Sequence, residues 1–86
     1  MLTMKVQWSK KSLKQLRKLP ESEQEKIYIK GSDLKNFPNV DNVIHLTNHK
    51  YNYRLRVGNY RILFNFKSVI KVISIEEVKK RNEGTY

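Results

Sequence analysis

Cysteine is absent from the 86 residues, which excludes disulfide frameworks, thiolate metal sites and cysteine nucleophiles together. Histidine is nearly absent, with two residues, and two imidazoles without companion carboxylates make an incomplete metal-ligand set. No metal and no small-molecule cofactor is therefore expected. No apolar run approaches the roughly 18 residues of a membrane-spanning helix, and the first residues hold no apolar stretch of signal-peptide length. A cytoplasmic protein without membrane attachment is expected. With three glycines and two prolines, no Gly- or Pro-rich linker, repeat or low-complexity segment interrupts the chain. Acid is the remaining scarcity: eight Asp and Glu stand against eighteen Lys and Arg, a net charge of +10.

That charge exceeds what solubility alone requires of a small domain, so polyanions are the first partners to consider. The excess leans toward the C-terminal half: residues after Val43 include nine basic and three acidic side chains, against nine and five up to it. With 38% hydrophobic residues, the chain can close one core, and a single domain spanning 1–86 is expected.

Met4, Val6 and Trp8 alternate with polar residues, as in a short half-buried strand. Ser9 offers an N-cap, and Leu13, Leu16 and Leu19 follow at helical spacing until Pro20 stops the helix. Ser22 with Glu25 reads as a capping box opening a second helix through Ile27 and Tyr28, which Gly31 threatens to break early. Phe37, Pro38 and Asn39 begin a loop. From Val43 the period changes from helical to alternating. Strands are expected over 43–46, 51–57, 60–66 and 69–75, followed by a polar tail over 76–86. The expected class is α+β, a β-α-α-β-β-β-β chain whose helical hairpin packs on one face of an antiparallel sheet.

Gly58-Asn59 is a two-residue hairpin turn with Gly at its first central position, and it sets the register. Val57 falls opposite Tyr60, Arg56 opposite Arg61, Leu55 opposite Ile62 and Tyr53 opposite Phe64. One face then collects Tyr51, Tyr53, Leu55, Val57, Tyr60, Ile62, Phe64 and Phe66 as core. The other collects Asn52, Arg54, Arg56, Arg61 and Leu63. Arg56 against Arg61 is a like-charge pair that destabilises a sheet. Its presence makes sense where an anion binds, because guanidinium forks match phosphate oxygens.

Two segments, Tyr51-Asn52-Tyr53-Arg54-Leu55-Arg56-Val57-Gly58-Asn59-Tyr60-Arg61-Ile62 and Lys80-Arg81-Asn82-Glu83-Gly84-Thr85-Tyr86, together with Trp8 to Pro20, resemble the RelE branch of the RelE/ParE toxin superfamily. The resemblance covers almost the whole chain. It implies an endoribonuclease that cuts mRNA in the ribosomal A site without a metal, and a cognate antitoxin as partner besides ribosome and mRNA. The family pattern places two basic residues on the strand before the turn, here Asn52 and Arg54, and an arginine after it, here Arg61. An arginine beyond the last strand and a nearby tyrosine fall on Arg81 and Tyr86. Asn52 departs from the pattern, in which lysine is common. The resemblance thus implies Arg54, Arg61, Arg81 and Tyr86 as catalytic residues, with Tyr86 as general base, and Asn52, Arg56, Lys79 and Lys80 as RNA and ribosome contacts. His45 and His49 form the alternative acid–base pair. A ParE-like toxin that binds DNA gyrase without cutting, and a plain basic nucleic-acid-binding module, are the alternative functions.

Overall fold

The computed structural model describes residues 3–81. Strand β1 (Lys5–Trp8) leads into helices α1 (Lys10–Arg17) and α2 (Glu21–Ser32) and a 3₁₀ turn at Asp33–Asn36. Strands β2 (Val43–His45), β3 (Tyr53–Val57), β4 (Tyr60–Lys67) and β5 (Val72–Lys80) follow. The class is α+β and the order is the one the sequence pattern implies. The five strands form one sheet in the order β1-β5-β4-β3-β2.

The hairpin register holds residue for residue: Val57 pairs with Tyr60, Arg56 with Arg61, Leu55 with Ile62 and Tyr53 with Phe64. Gly58 has φ +57°, the left-handed conformation that favours glycine at the first turn position. Beneath the helices, Ile27, Leu34, Ile62, Phe64, Ile73 and Ile75 have no exposed surface. Phe37 stands edge-on to Tyr53 and Phe64, at 5.1 and 5.8 Å between ring centroids, and closes the core beside β3.

Four expectations change. The sheet is mixed, because β1 pairs in parallel with β5, from Lys5 opposite Val72 to Trp8 opposite Ile75, while the other three pairings are antiparallel. The last strand begins and ends later than the apolar run 69–75. Val69 and Ile70 are exposed in the β4–β5 connection, at 94% and 64%, and the pairing continues to Lys80 opposite Tyr60. A register irregularity at Leu63/Phe64 leaves Glu76 as an extra residue on β5. That bulge breaks the alternation and makes 76–80 look like a tail.

Helix α2 has no capping box. Pro20 occupies its N-cap position without a side-chain bond, and Gln24 Nε2 instead donates to the Leu19 and Arg17 carbonyl oxygens at 2.8 and 3.2 Å, tying α2 to the end of α1. Gly31 does not break the helix. A Cβ there would lie 2.6 Å from Trp8 Cζ2, so glycine serves close approach to the Trp8 ring. Finally, Tyr51 does not extend the core face. Pairing in β3 begins at Tyr53, and the Tyr51 hydroxyl crosses to the opposite side of the sheet, where it reaches Glu77.

Helix α1 also closes an edge. Past the end of β1, the outer backbone of β5 would be unpaired. Ser9 N and Ser9 Oγ donate to the Ile75 and Glu76 carbonyl oxygens, both at 2.9 Å, and Gln15 Oε1 accepts from Val78 N at 2.7 Å. The same Ser9 Oγ accepts from Ser12 N at 3.0 Å and so caps α1. One serine therefore starts the helix and fixes it to the sheet.

Candidate active site on the open face

Because the hairpin register is fixed, the face turned away from the helices carries an uninterrupted cross-strand row of cations: Arg56 opposite Arg61, and Arg61 opposite Lys79. The adjacent row reads Ile44, Arg54, Leu63, Glu77 across β2, β3, β4 and β5. Arg54 and Arg61 are half-buried, and Arg56 and Lys79 are exposed. Each like-charge pair costs stability. Partial burial lowers the screening of the two central guanidiniums, which strengthens their grip on an arriving anion.

Glu77 is the one acidic side chain of this row, only 5% exposed. Tyr51 Oη donates to its Oε2 at 2.6 Å and Gln15 Nε2 to its Oε1 at 3.4 Å. Lys11 Nζ lies 3.4 Å from Oε2 and Lys79 Nζ 3.8 Å from Oε1. Burial pushes the Glu77 carboxyl up, but the hydrogen bonds from Tyr51 and Gln15, with the charges of Lys79 and Lys11, outweigh it and hold the group below the ordinary carboxylate range. The bond to Glu77, burial and the carboxylate charge push the Tyr51 phenol up to about 12. Tyr51 is thus a committed donor and a poor proton acceptor at neutral pH. Neither Tyr51 nor Glu77 was marked by the sequence pattern. Extending the β4 alternation through 76–80 would have put Glu77 opposite Leu63 and brought it into view.

The other sequence-selected residues fall as follows. Asn52 is exposed just before β3, its N–H donating to Asn65 Oδ1 at 2.8 Å. Arg81 follows β5, its N–H bonded to the Asn59 carbonyl at 2.6 Å beside the hairpin turn, and strand alternation puts it on the side of Lys79 and Arg61. Lys80 pairs with the buried Tyr60 and so lies on the helix side of the sheet, away from the arginines. Tyr86 lies outside the described residues. Arg56 additionally lines a cavity of about 460 Å³ with Lys26, Lys30 and Asn42.

The two histidines are separated. His45 pairs with Tyr53, its ring 5.1 Å from that tyrosine's, on the face opposite Arg54. His49 sits in the loop before β3, where Nδ1 accepts from Tyr51 N at 3.1 Å. A neutral His49 therefore carries its proton on Nε2.

No family model matches the chain, and no curated protein matches it. Solved structures do. The chain superposes on a chain of the toxin–antitoxin complex RelBE2 from Mycobacterium tuberculosis with a TM-score of 0.80 at 20% identity, covering 93% of this chain and 100% of that one. With the archaeal RelE–RelB complex from Pyrococcus horikoshii the TM-score is 0.76 at 27% identity, covering 96% and 100%. With the isolated RelE toxin of E. coli it is 0.76 at 18% identity, covering 94% and 87%.

Proposed function

We propose that this chain, RelE-like in fold over nearly its whole length, is the toxin of a toxin–antitoxin pair and cuts mRNA in the ribosomal A site. The observation that carries the reading is the row Arg56, Arg61 and Lys79 with Arg54 beside it, on the sheet face that the helices leave open. A face that spends stability on like-charge pairs gains most from a phosphodiester laid across it.

In the proposed reaction a base removes the proton of the ribose 2′-hydroxyl, and the 2′-oxygen attacks the adjacent phosphorus. The bond from phosphorus to the 5′-oxygen breaks, leaving a 2′,3′-cyclic phosphate and a protonated 5′-hydroxyl. The nucleophile belongs to the substrate, so the scheme needs no metal. Arg54 and Arg61 offset charge on the pentavalent phosphorus, Arg81 sits at the leaving oxygen, and Tyr86 is the proposed base. Asn52, Arg56, Lys79 and Lys80 contact the RNA backbone and the ribosome. The protein acts in the cytoplasm, where ribosomes are, and is restrained by a cognate antitoxin whose contact surface is acidic, so their affinity falls as salt rises.

Primer extension on an mRNA in a translating extract, with and without the purified protein, tests this. Cuts within codons on ribosomes, and few on naked RNA, are the expected result. Intact mRNA together with inhibited DNA gyrase would overturn it in favour of a ParE-like activity. Intact mRNA with salt-sensitive binding to any nucleic acid would leave a basic binding module.

A further inference from the structure

The ion pairs recorded between described residues both end on Glu77, one from each of two elements: Lys11 from α1 and Lys79 from β5. A buried carboxylate in a basic protein that binds RNA is a cost twice over, because it loses hydration and repels the ligand. Glu77 nevertheless sits in the row next to the arginines. It is reached by four side chains from three places: Lys11 and Gln15 on α1, Tyr51 ahead of β3, and Lys79 on its own strand. Both carboxylate oxygens are used, and with 5% exposure there is no path for it to meet a substrate hydroxyl. A direct role as base is thereby disfavoured, whereas its connections suit a fixed reference point.

We propose that Glu77 is a positioning residue that holds Lys11 beside Lys79, so that the RNA-binding surface continues from the arginine face onto α1, with Lys11 contacting an RNA backbone phosphate. Through Tyr51 the same carboxylate fixes the segment that delivers Asn52 and Arg54 to the face. Lys11 and Lys79 are both more than half exposed, at 59% and 53% of their side chains. Their ammonium groups can therefore turn from the carboxylate to a phosphate without leaving the site. This assignment rests on the reading of the open face as an RNA-cleaving surface.

The test measures two quantities: affinity for a labelled single-stranded RNA oligonucleotide over a range of salt, and single-turnover mRNA cleavage on saturating ribosomes. Lys11→Ala should weaken binding and lower the slope of log affinity against log salt by about 0.7, the value for one lost phosphate contact on a single strand. Lys35→Ala, on the exposed 3₁₀ turn of the helix side, should leave the slope unchanged. Glu77→Gln keeps the size and most hydrogen bonds but removes the charge. It should tighten RNA binding about threefold, the scale of one unit charge several ångströms from a phosphate in water. The same variant should slow cleavage, by up to about 10²-fold, through lost alignment. A residue of structural importance alone would lower melting temperature, affinity and cleavage together.

Tyr51→Phe keeps the charge and drops one hydrogen bond, so cleavage should fall with affinity unchanged. That variant keeps the assignment testable if Glu77→Gln fails to fold. An unaltered salt slope in Lys11→Ala, or parallel losses of affinity and rate in Glu77→Gln and Tyr51→Phe, would overturn it. If the wild-type protein cuts no mRNA, the nuclease reading falls while the binding measurements still decide the role of Lys11.

Discussion

The two faces of strand β4 follow opposite rules. Toward the helices, Ile62 and Phe64 have no exposed surface and pack among Ile27, Leu34, Leu55, Ile75 and Val78. Away from them, Arg61 faces Arg56 on one side and Lys79 on the other. One face gains free energy from burial, roughly 1.5–3 kcal/mol for each large apolar side chain removed from water, and the other gives some back through like-charge repulsion. Stability and activity are thus assigned to alternate residues of a single strand, and substitutions one position apart should separate them.

Phe64→Ala should do the most damage. It opens a cavity between Tyr53, stacked at 5.4 Å, and Phe37 at 5.8 Å. The expected loss is about 3–5 kcal/mol in denaturant unfolding, a large share of the stability available to so small a domain. Arg61→Ala reverses the profile. Cleavage on ribosomes should fall about 10²–10³-fold, the scale of one preorganised charge stabiliser, while the unfolding midpoint stays the same or rises as the repulsion from Arg56 and Lys79 is relieved. A marked loss of stability in Arg61→Ala would mean that the guanidinium holds the fold together and that the division between faces is wrong.

A smaller effect is expected at the helix–sheet contact. Gly31→Ala forces its new methyl within 2.6 Å of Trp8 Cζ2, and Trp8 is stacked on Tyr28 at 5.4 Å and cannot simply swing away. Overpacking of this kind costs about 1–3 kcal/mol. Trp8 fluorescence should report the displacement, and cleavage per folded molecule should be unchanged.

Much of this division was legible in the sequence because two local signals agree. The Gly58-Asn59 turn fixes which residues are opposite, and the strict alternation on both sides fixes which face each occupies, so Arg56 opposite Arg61 could be derived before any coordinates. The helices were legible in number but less so in their ends. The Ser22–Glu25 pattern is a real capping signal that lost to Gln24, whose amide reaches back to α1 through contacts that no local window contains. Segment 76–80 was misjudged for a related reason. Its charges suggested a solvated tail, but strand pairing is a backbone property, and a strand with one open face can be charged at every second position. The parallel β1–β5 pairing depends on residues 67 positions apart and leaves no local trace. Glu77 belongs to the same class, since Lys11, Gln15 and Tyr51 converge on it only after folding.

The smallest expected effect concerns pH and probes the open face through its one buried acid. The folded structure holds Glu77 below the ordinary carboxylate value of 4.5, so the folded state resists protonation more than the unfolded chain does. The resulting stabilisation is complete above the unfolded value and disappears as pH falls through the lower folded one. Tyr51 behaves in the opposite sense. Its phenol is raised from 10.0 to about 12, so the unfolded chain releases that proton first. Stability from this source is present below pH 10 and is lost between 10 and about 12. Unfolding midpoints measured from acid to alkali should therefore fall at both ends, and the two variants should flatten different ends. Glu77→Gln removes the Glu77 share of the acid fall and, by deleting the carboxylate charge, brings the Tyr51 phenol back toward its ordinary value. Tyr51→Phe abolishes the Tyr51 share of the alkaline fall and shrinks the acid one, because Glu77 loses a donor. An acid limb identical in wild type and Glu77→Gln would show that the carboxylate is no better held in the folded protein than in the unfolded chain. The open face would then owe its register to the backbone pairing alone.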